Sequence, residues 1–272
     1  MSSSGEDRNM GTPIVQVDAF TDRAFSGNPA GVCILSGPRN DDWMQKVAME
    51  MNASETAFLY PEQDGYRLRW FTPTVEVPIC GHATLASAHV LWEGRYLSPE
   101  KDARFYTKSG LLSARKRGDE IEMDFPALPA SPCETPSTLA SALGLKPATT
   151  LRNELRLLAV FDHEREVRDL KPDIAGVRKI PVQGIIVTAK SETGGYDFVS
   201  RFFAPNAGVD EDPVTGSAHS CLAPYWCQRL GRPELTGYQA SARGGTVRVK
   251  MAGDRVLMSG KAITTLRGEI LV

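Results

Sequence analysis

The chain repeats itself once, and that repeat constrains its fold more than any other feature. Arg69-Trp70-Phe71-Thr72-Pro73 returns 132 residues later as Arg201-Phe202-Phe203-Ala204-Pro205. Gly81-His82-Ala83-Thr84 returns as Gly216-Ser217-Ala218-His219, and Gly110 with Gly118-Asp119 returns as Gly245 with Gly253-Asp254, both 135 residues later. Three landmarks in one order at a nearly constant offset divide the 272 residues into two homologous halves. A period this long excludes a solenoid of small repeats. The join falls within 126–136, which places a first α/β repeat at 11–126 and a second at 127–272.

Each half reads as mixed strand and helix. Strands are predicted at 16–20, 31–35, 57–60, 66–71, 111–116 and 120–125, then at 155–161, 184–189, 196–203, 246–251 and 255–259. Gly118-Asp119 and Gly253-Asp254 break the last pair of each half, as hairpin turns do. Helices are predicted at 41–51, 82–93, 138–143 and 217–230. Helix 82–93 is apolar on most sides, so it belongs inside the protein. Strands alternating around such a helix suggest a barrel-like sheet wrapped on it, once per half. Pro224 conflicts with the last helix, which it should kink or shorten.

Lys plus Arg total 31 and Asp plus Glu total 33, a formal charge of −2. That balance argues against a protein built to neutralise nucleic-acid phosphates or anionic lipid. The longest uncharged stretches, 77–92 and 213–228, are shorter than a membrane span of about 20 residues and contain Pro, Gly and His. Residues 1–10 read as a loose polar tail without the apolar core of a signal peptide. The five cysteines are odd in number and form no Cys-x-x-Cys pair. A disulfide scaffold and a zinc ribbon are disfavoured, and a reducing cytoplasm fits best.

The repeated unit runs strand, Phe-x-Pro, loop, Gly, buried helix. Helix starts carry N–H groups without intrahelical partners, and these bind a carboxylate or a developing oxyanion. If the halves face each other, Gly81 and Gly216 bring two such starts to one cleft. A glycine at a loop–helix joint is more often only a tight turn; the duplication, with polar neighbours at both, favours function. Glu55, between Ser54 and Thr56-Ala57-Phe58, stands at the head of an apolar strand, where desolvation would raise its pKa toward that of a proton shuttle. Most glutamates instead cap or face water. Asp212 precedes Pro213 at the mouth of the second repeated helix, where an Asx turn or cap is the plain alternative. His82 opens the first buried helix; His89, two turns on, is too far for one metal, and no HExxH or His-x3-His occurs, so no metal site is expected. Cys80 is either a thiolate base at a helix start or a small buried hydrophobe. No nucleotide-cofactor fingerprint (GxGxxG, GxxxxGK[ST]) or hydrolase elbow (GxSxG) is present.

These residues together resemble the phenazine-biosynthesis PhzF-like family, related in fold to diaminopimelate epimerase. The resemblance is carried by Asp18-Ala19-Phe20 with Phe25-Ser26-Gly27-Asn28-Pro29-Ala30-Gly31-Val32, by Ser54-Glu55-Thr56-Ala57-Phe58, by Phe71-Thr72-Pro73 with Cys80-Gly81-His82-Ala83-Thr84, and by Glu211-Asp212-Pro213-Val214-Thr215-Gly216-Ser217-Ala218. It implies an α/β (α+β) fold of two pseudo-symmetric halves, each a curled sheet or barrel around a central helix, with the active site between them. It implies a homodimer without cofactor, and an isomerase. The best-understood member moves a hydrogen on a dihydro-hydroxyanthranilate with a glutamate shuttle. Glu55 matches that glutamate; His82 and Asp212 match catalytic positions; Gly81, Gly216 and Ser217 match substrate-binding ones. The resemblance thus implies proton movement on a small carboxylate substrate. The related epimerases use two cysteines, and only Cys80 matches one. The alternatives are a racemase or epimerase using Cys80, and a non-catalytic binding protein that keeps the fold.

Overall fold

The computed structural model describes residues 11–272, so the tail expected at 1–10 lies outside the described residues. The first half runs β1 (Thr12–Ala19), β2 (Asn28–Ile34), α1 (Asp41–Met51), β3 (Glu55–Glu62), β4 (Gly65–Phe71), a short β5 (Glu76–Val77), α2 (Gly81–Glu93), β6 (Ala103–Thr107), β7 (Gly110–Arg117) and β8 (Glu120–Pro126). The second runs β9 (Ser131–Pro132), α3 (Leu139–Leu143), β10 (Thr149–Arg152), β11 (Arg156–Val160), α4 (Glu164–Asp169), α5 (Ile174–Arg178), β12 (Gly184–Lys190), β13 (Phe198–Phe203), α6 (Gly216–Leu230), β14 (Glu234–Gln239), β15 (Gly245–Ala252), β16 (Arg255–Gly260) and β17 (Ala262–Ile270).

Strand pairing reproduces the sequence repeat. β1–β2 is antiparallel, β2–β3 parallel, β3–β4 antiparallel, β4–β6 parallel, and β6–β7–β8 antiparallel. β10–β11, β11–β12, β12–β13, β13–β14 and β14–β15–β16 follow the same alternation. The duplicated arginines also keep equivalent partners: Arg69 forms a two-pronged ion pair with Glu76, and Arg201 one with Glu211. β8 pairs with β16, joining the two curled sheets, and β17 returns to pair with β1. The fold is thus α+β, two pseudo-symmetric sheets each curled on a central helix.

Those helices are α2 and α6. Residues 82–88 and 90–92 of α2 are all buried, which leaves the helix no solvent face. Its Leu85, Ala86 and Leu91 share one core with Trp70, Phe105, Phe198, Leu222 and Trp226. α1 covers the outside of the first sheet through Met44 and Val47 against Phe58 and Phe71. α3, α4 and α5 cover the second sheet, with Leu143, Val167 and Val177 packed on Ile185 and Phe203. No helix among the described residues is long and apolar enough to cross a membrane.

The Gly-led hairpins form as expected, with Arg117 opposite Glu120 and Ala252 opposite Arg255. Gly118 and Gly253 take φ of 62° and 66°, the sign a two-residue hairpin turn requires at its first position. Pro224 does not shorten its helix. α6 runs 15 residues through it. A proline cannot donate to the carbonyl four residues back, but here the Ser220 carbonyl accepts the Leu128 N–H at 2.9 Å. The linker between the halves supplies the missing hydrogen bond.

Candidate active site

The starts of α2 and α6 meet head to head. A Cβ placed on Gly81 would lie 3.3 Å from the Gly216 Cα, and one on Gly216 the same distance from the Gly81 Cα. Only glycine lets the backbones approach this closely without displacement. Neither helix has a side-chain cap at its N-cap residue, Cys80 or Thr215. The first-turn N–H groups of both helices therefore remain available at the junction.

Glu55 is the first residue of β3 and reaches this junction from the side. Its Oε2 lies 3.2 Å from His82 Nε2, and its side chain is 16% exposed against 4% for His82, so Glu55 is the member of the pair open to the cleft. His82 Nδ1 lies 3.1 Å from the Asn28 amide nitrogen and 3.5 Å from Cys80 Sγ. Both neighbours can donate, which makes Nδ1 the acceptor and assigns the ring proton to Nε2, facing Glu55. Burial pulls the His82 pKa down to about 3, so the ring is neutral. Its Nε2 is buried and has no aligned hydrogen-bond partner.

Asp212 sits on the loop before α6. Its Oδ1 accepts from Asn28 Nδ2 at 2.7 Å and its Oδ2 from the Thr215 hydroxyl at 2.5 Å. Buried Gln239 fixes this loop: its Nε2 donates to the Asp212 carbonyl and to Thr215 Oγ1, and its Oε1 accepts the Thr215 N–H. Burial raises the Glu55 pKa, the Asp212 charge raises it further, and a hydrogen bond with Cys80 opposes both. Burial also raises Asp212, but hydrogen bonds from Thr215 and Asn28 and the Arg156 charge hold its ionised form. Two carboxyls in one dry site do not both ionise readily. The one with the hydrogen bonds, Asp212, takes the charge, and Glu55 keeps the proton.

The structure brings together every site residue named from sequence: Glu55, His82, Asp212, Gly81, Gly216 and Ser217. Ser217 differs from the others in that its oxygens are engaged from behind. Arg156 donates to the Ser217 carbonyl at 2.7 Å and to its hydroxyl at 2.8 Å. The Ser217 hydroxyl accepts there, which leaves its own proton unused by Arg156. The sequence reading missed three residues. Asn28 was visible only as part of a Gly-Asn-Pro turn, and Gln239 as an ordinary strand end. Arg156 did carry a signal, a lone charge at the head of the apolar strand Arg156–Val160.

The ligand atoms of Glu55, Cys80 and His82 all lie within 4.8 Å of one another, a spacing that would admit a metal ion. Burial, then the Glu55 charge, pushes the Cys80 thiol well up, so this donor set is protonated rather than anionic. A metal would have to displace those protons. A separate cavity of about 330 Å³ is lined by Phe20, Arg23, Tyr238, Arg243, Arg248 and Lys261 and includes none of the site residues. Three of its cations already have acidic partners: Arg243 pairs with Asp18, Arg248 with Glu120 and Lys261 with Asp22.

The family model of the phenazine biosynthesis-like proteins, PhzC-PhzF, matches residues 17–268. An uncharacterised isomerase of Halalkalibacterium halodurans is 54% identical over 264 residues, 97% of this chain and 100% of that protein. The crystal structure of a phenazine biosynthesis protein of the PhzF family from Enterococcus faecalis superposes with a TM-score of 0.91 at 38% identity, covering 96% of this chain and 99% of that one. A probable proline racemase from Agrobacterium radiobacter shares the fold at 11% identity, with a TM-score of 0.62 over 95% of this chain and 92% of its own.

Proposed function

The chain belongs to the phenazine biosynthesis-like family, and from that premise we propose that it is a cofactor-independent isomerase that moves a proton on a small carboxylate-bearing substrate. The reaction takes place in the cleft between the two halves, which we divide at 11–126 and 127–272. One observation carries the reading: the Glu55 carboxyl stands 3.2 Å from the His82 ring at the start of α2, where that helix meets the start of α6.

In this mechanism Glu55, which rests protonated, acts from its ionised fraction: that carboxylate takes a proton from a carbon conjugated with the substrate's carboxylate or carbonyl. The C–H electron pair passes into the conjugated system. The resulting negative charge is held by the first-turn N–H groups at Gly81–His82 and Gly216–Ser217, by His82 Nε2–H and by the Ser217 hydroxyl. Glu55, now a carboxylic acid, returns the proton to a different carbon, and a double bond shifts. Asp212 stays ionised and orients a donor group of the substrate. General acid–base catalysis contributes about 10²–10⁴-fold; positioning and electrostatics supply the remainder.

A small-carboxylate library followed by proton NMR in deuterium oxide tests this. A substrate should exchange or shift one C–H, and Glu55→Gln should abolish that exchange while remaining folded. Exchange that survives Glu55→Gln would remove Glu55 from the role. The second reading, an epimerase using Cys80, is favoured by the thiol's place in the Glu55–His82 cluster. It requires deuterium at an amino acid's α-carbon, lost on Cys80→Ser. The position equivalent to Cys80 is Thr215, so a second thiol is missing.

A further inference from the structure

The two halves are not chemically equivalent at the position of the acid. β3 pairs with β4 so that Thr56 faces Phe71, and β12 pairs with β13 so that Ile185 faces Phe203. Phe71 and Phe203 are repeat equivalents, so Glu55 corresponds to Gly184. At Gly184 a Cβ would meet the Phe202 ring at 2.4 Å, so the ring fills the space a side chain would need. Over that ring, 5.3 Å from its centre, lies the guanidinium of Arg156, whose residue faces Gly184 in the β11–β12 register. One half supplies an acid there; the other has a glycine, and the cation beside it stands on the neighbouring strand at the position equivalent to Ala30.

Arg156 forms no ion pair with a carboxylate among the described residues, although the Asp212 charge reaches it. Among the described residues its hydrogen bonds go to the Ser217 carbonyl and hydroxyl, both neutral, and its buried Nε has no acceptor. Burial disfavours its charge. The Asp212 charge offsets that only in part, so a guanidinium without a directly bonded counter-charge gains from one that arrives. The other titratable groups of the cleft are the carboxyls Glu55 and Asp212, the thiol Cys80 and the neutral imidazole His82. Of these Asp212 alone carries charge, and that charge is negative, which disfavours an anionic substrate.

We propose that Arg156 is the residue that commits the cleft to anionic ligands, acting on the substrate's carboxylate through Ser217 and the α6 start. This rests on the isomerase reading for its site and adds the source of its charge selectivity. Arg156 is a positioning residue here, since it acts through Ser217.

The probes are benzoate and benzamide, matched in shape and different in charge, titrated against the full chain by calorimetry or ligand-observed NMR. Wild type should bind benzoate at least about tenfold more tightly than benzamide. Arg156→Met should bring that ratio close to one and leave benzamide affinity unchanged. Arg156→Lys, which keeps the charge but not the planar fork, should retain most of the ratio. A folded Arg156→Met that keeps the wild-type ratio overturns the proposal. So does an equal loss of both probes, which is what a purely structural role gives, or a wild type with no preference. Glu55→Gln run alongside separates the two claims. It should keep the benzoate preference; proton exchange that survives it would sink the acid–base reading and leave Arg156 untouched.

Discussion

Asn28 is fully buried and its amide nitrogen is the hinge of the site, so Asn28→Ala is the most informative single perturbation. The nitrogen lies 2.7 Å from Asp212 Oδ1, 2.9 Å from the Val214 carbonyl and 3.1 Å from His82 Nδ1. Two protons serve three acceptors, so two full bonds exist at a time. A bond to a carboxylate contributes about 1.5–3 kcal/mol and one to a neutral acceptor about 1 kcal/mol. Removing the buried, unpartnered Asn28 Oδ1 returns up to about 1 kcal/mol. The expected net loss is therefore about 2–3 kcal/mol near neutral pH. Urea unfolding reads it as a lower midpoint at unchanged slope. The loss should also depend on pH. Asn28 favours ionised Asp212, so removing it raises the Asp212 pKa further above the unfolded value. A raised carboxyl keeps its stability below the unfolded pKa and loses it as pH rises through the folded one. The deficit should thus be smallest near pH 4 and grow toward pH 8. A loss under about 0.5 kcal/mol, or one flat across that range, would refute the reasoning that Asn28 holds the Asp212 charge.

Glu55→Gln should stabilise the protein on the alkaline side. Glu55 titrates above the usual carboxylate value of about 4.3, so wild type loses stability as pH rises and the neutral glutamine does not; a melting-temperature gain that is absent at pH 4 and present at pH 9 checks it. Gly81→Ala puts a methyl 3.3 Å from the Gly216 Cα, a backbone atom that cannot swing aside. It should cost about 1–2 kcal/mol of stability and weaken benzoate binding by parting the helix starts; unchanged urea midpoint and unchanged binding would deny that the close approach matters. Arg243→Met strips the ion pair from Asp18, whose side chain is 1% exposed against 32% for Arg243. Urea unfolding should show a loss of about 2 kcal/mol, less than for a fully buried pair because Arg243 partly faces water.

The repeat, the hairpins and the buried character of α2 were all legible before any coordinates, because each is a local pattern. Gly118-Asp119 and Gly253-Asp254 announce turns whatever surrounds them, and an apolar run like Ala83–Trp92 has only one place to go. Pro224 shows the limit of such reading. Its local effect was foreseen, but whether the helix ended depended on Leu128, a residue 96 positions away in sequence that supplies a donor to Ser220. Short elements such as α4 and α5 escaped notice because their periods are too brief to register, and the nine-residue β17 did so because none of its residues is buried and it shows no apolar alternation.

The chain alone also singles out the candidate residues: His82 and Ser217 lie in a landmark of the repeat, Asp212 just before one, and Glu55 at the head of an apolar strand. What it does not contain is their mutual arrangement. Asn28 reaches Asp212 across 184 positions, and Arg156 reaches Ser217 across 61. Nor does it pair Glu55 with Gly184, because the offset there is 129 residues whereas the landmarks repeat at 132 and 135. Only strand register makes that equivalence visible. The physical reason is that turn and burial preferences act within a few residues, whereas a carboxyl's pKa and a guanidinium's missing partner are set by whichever groups sheet closure brings within a few ångströms.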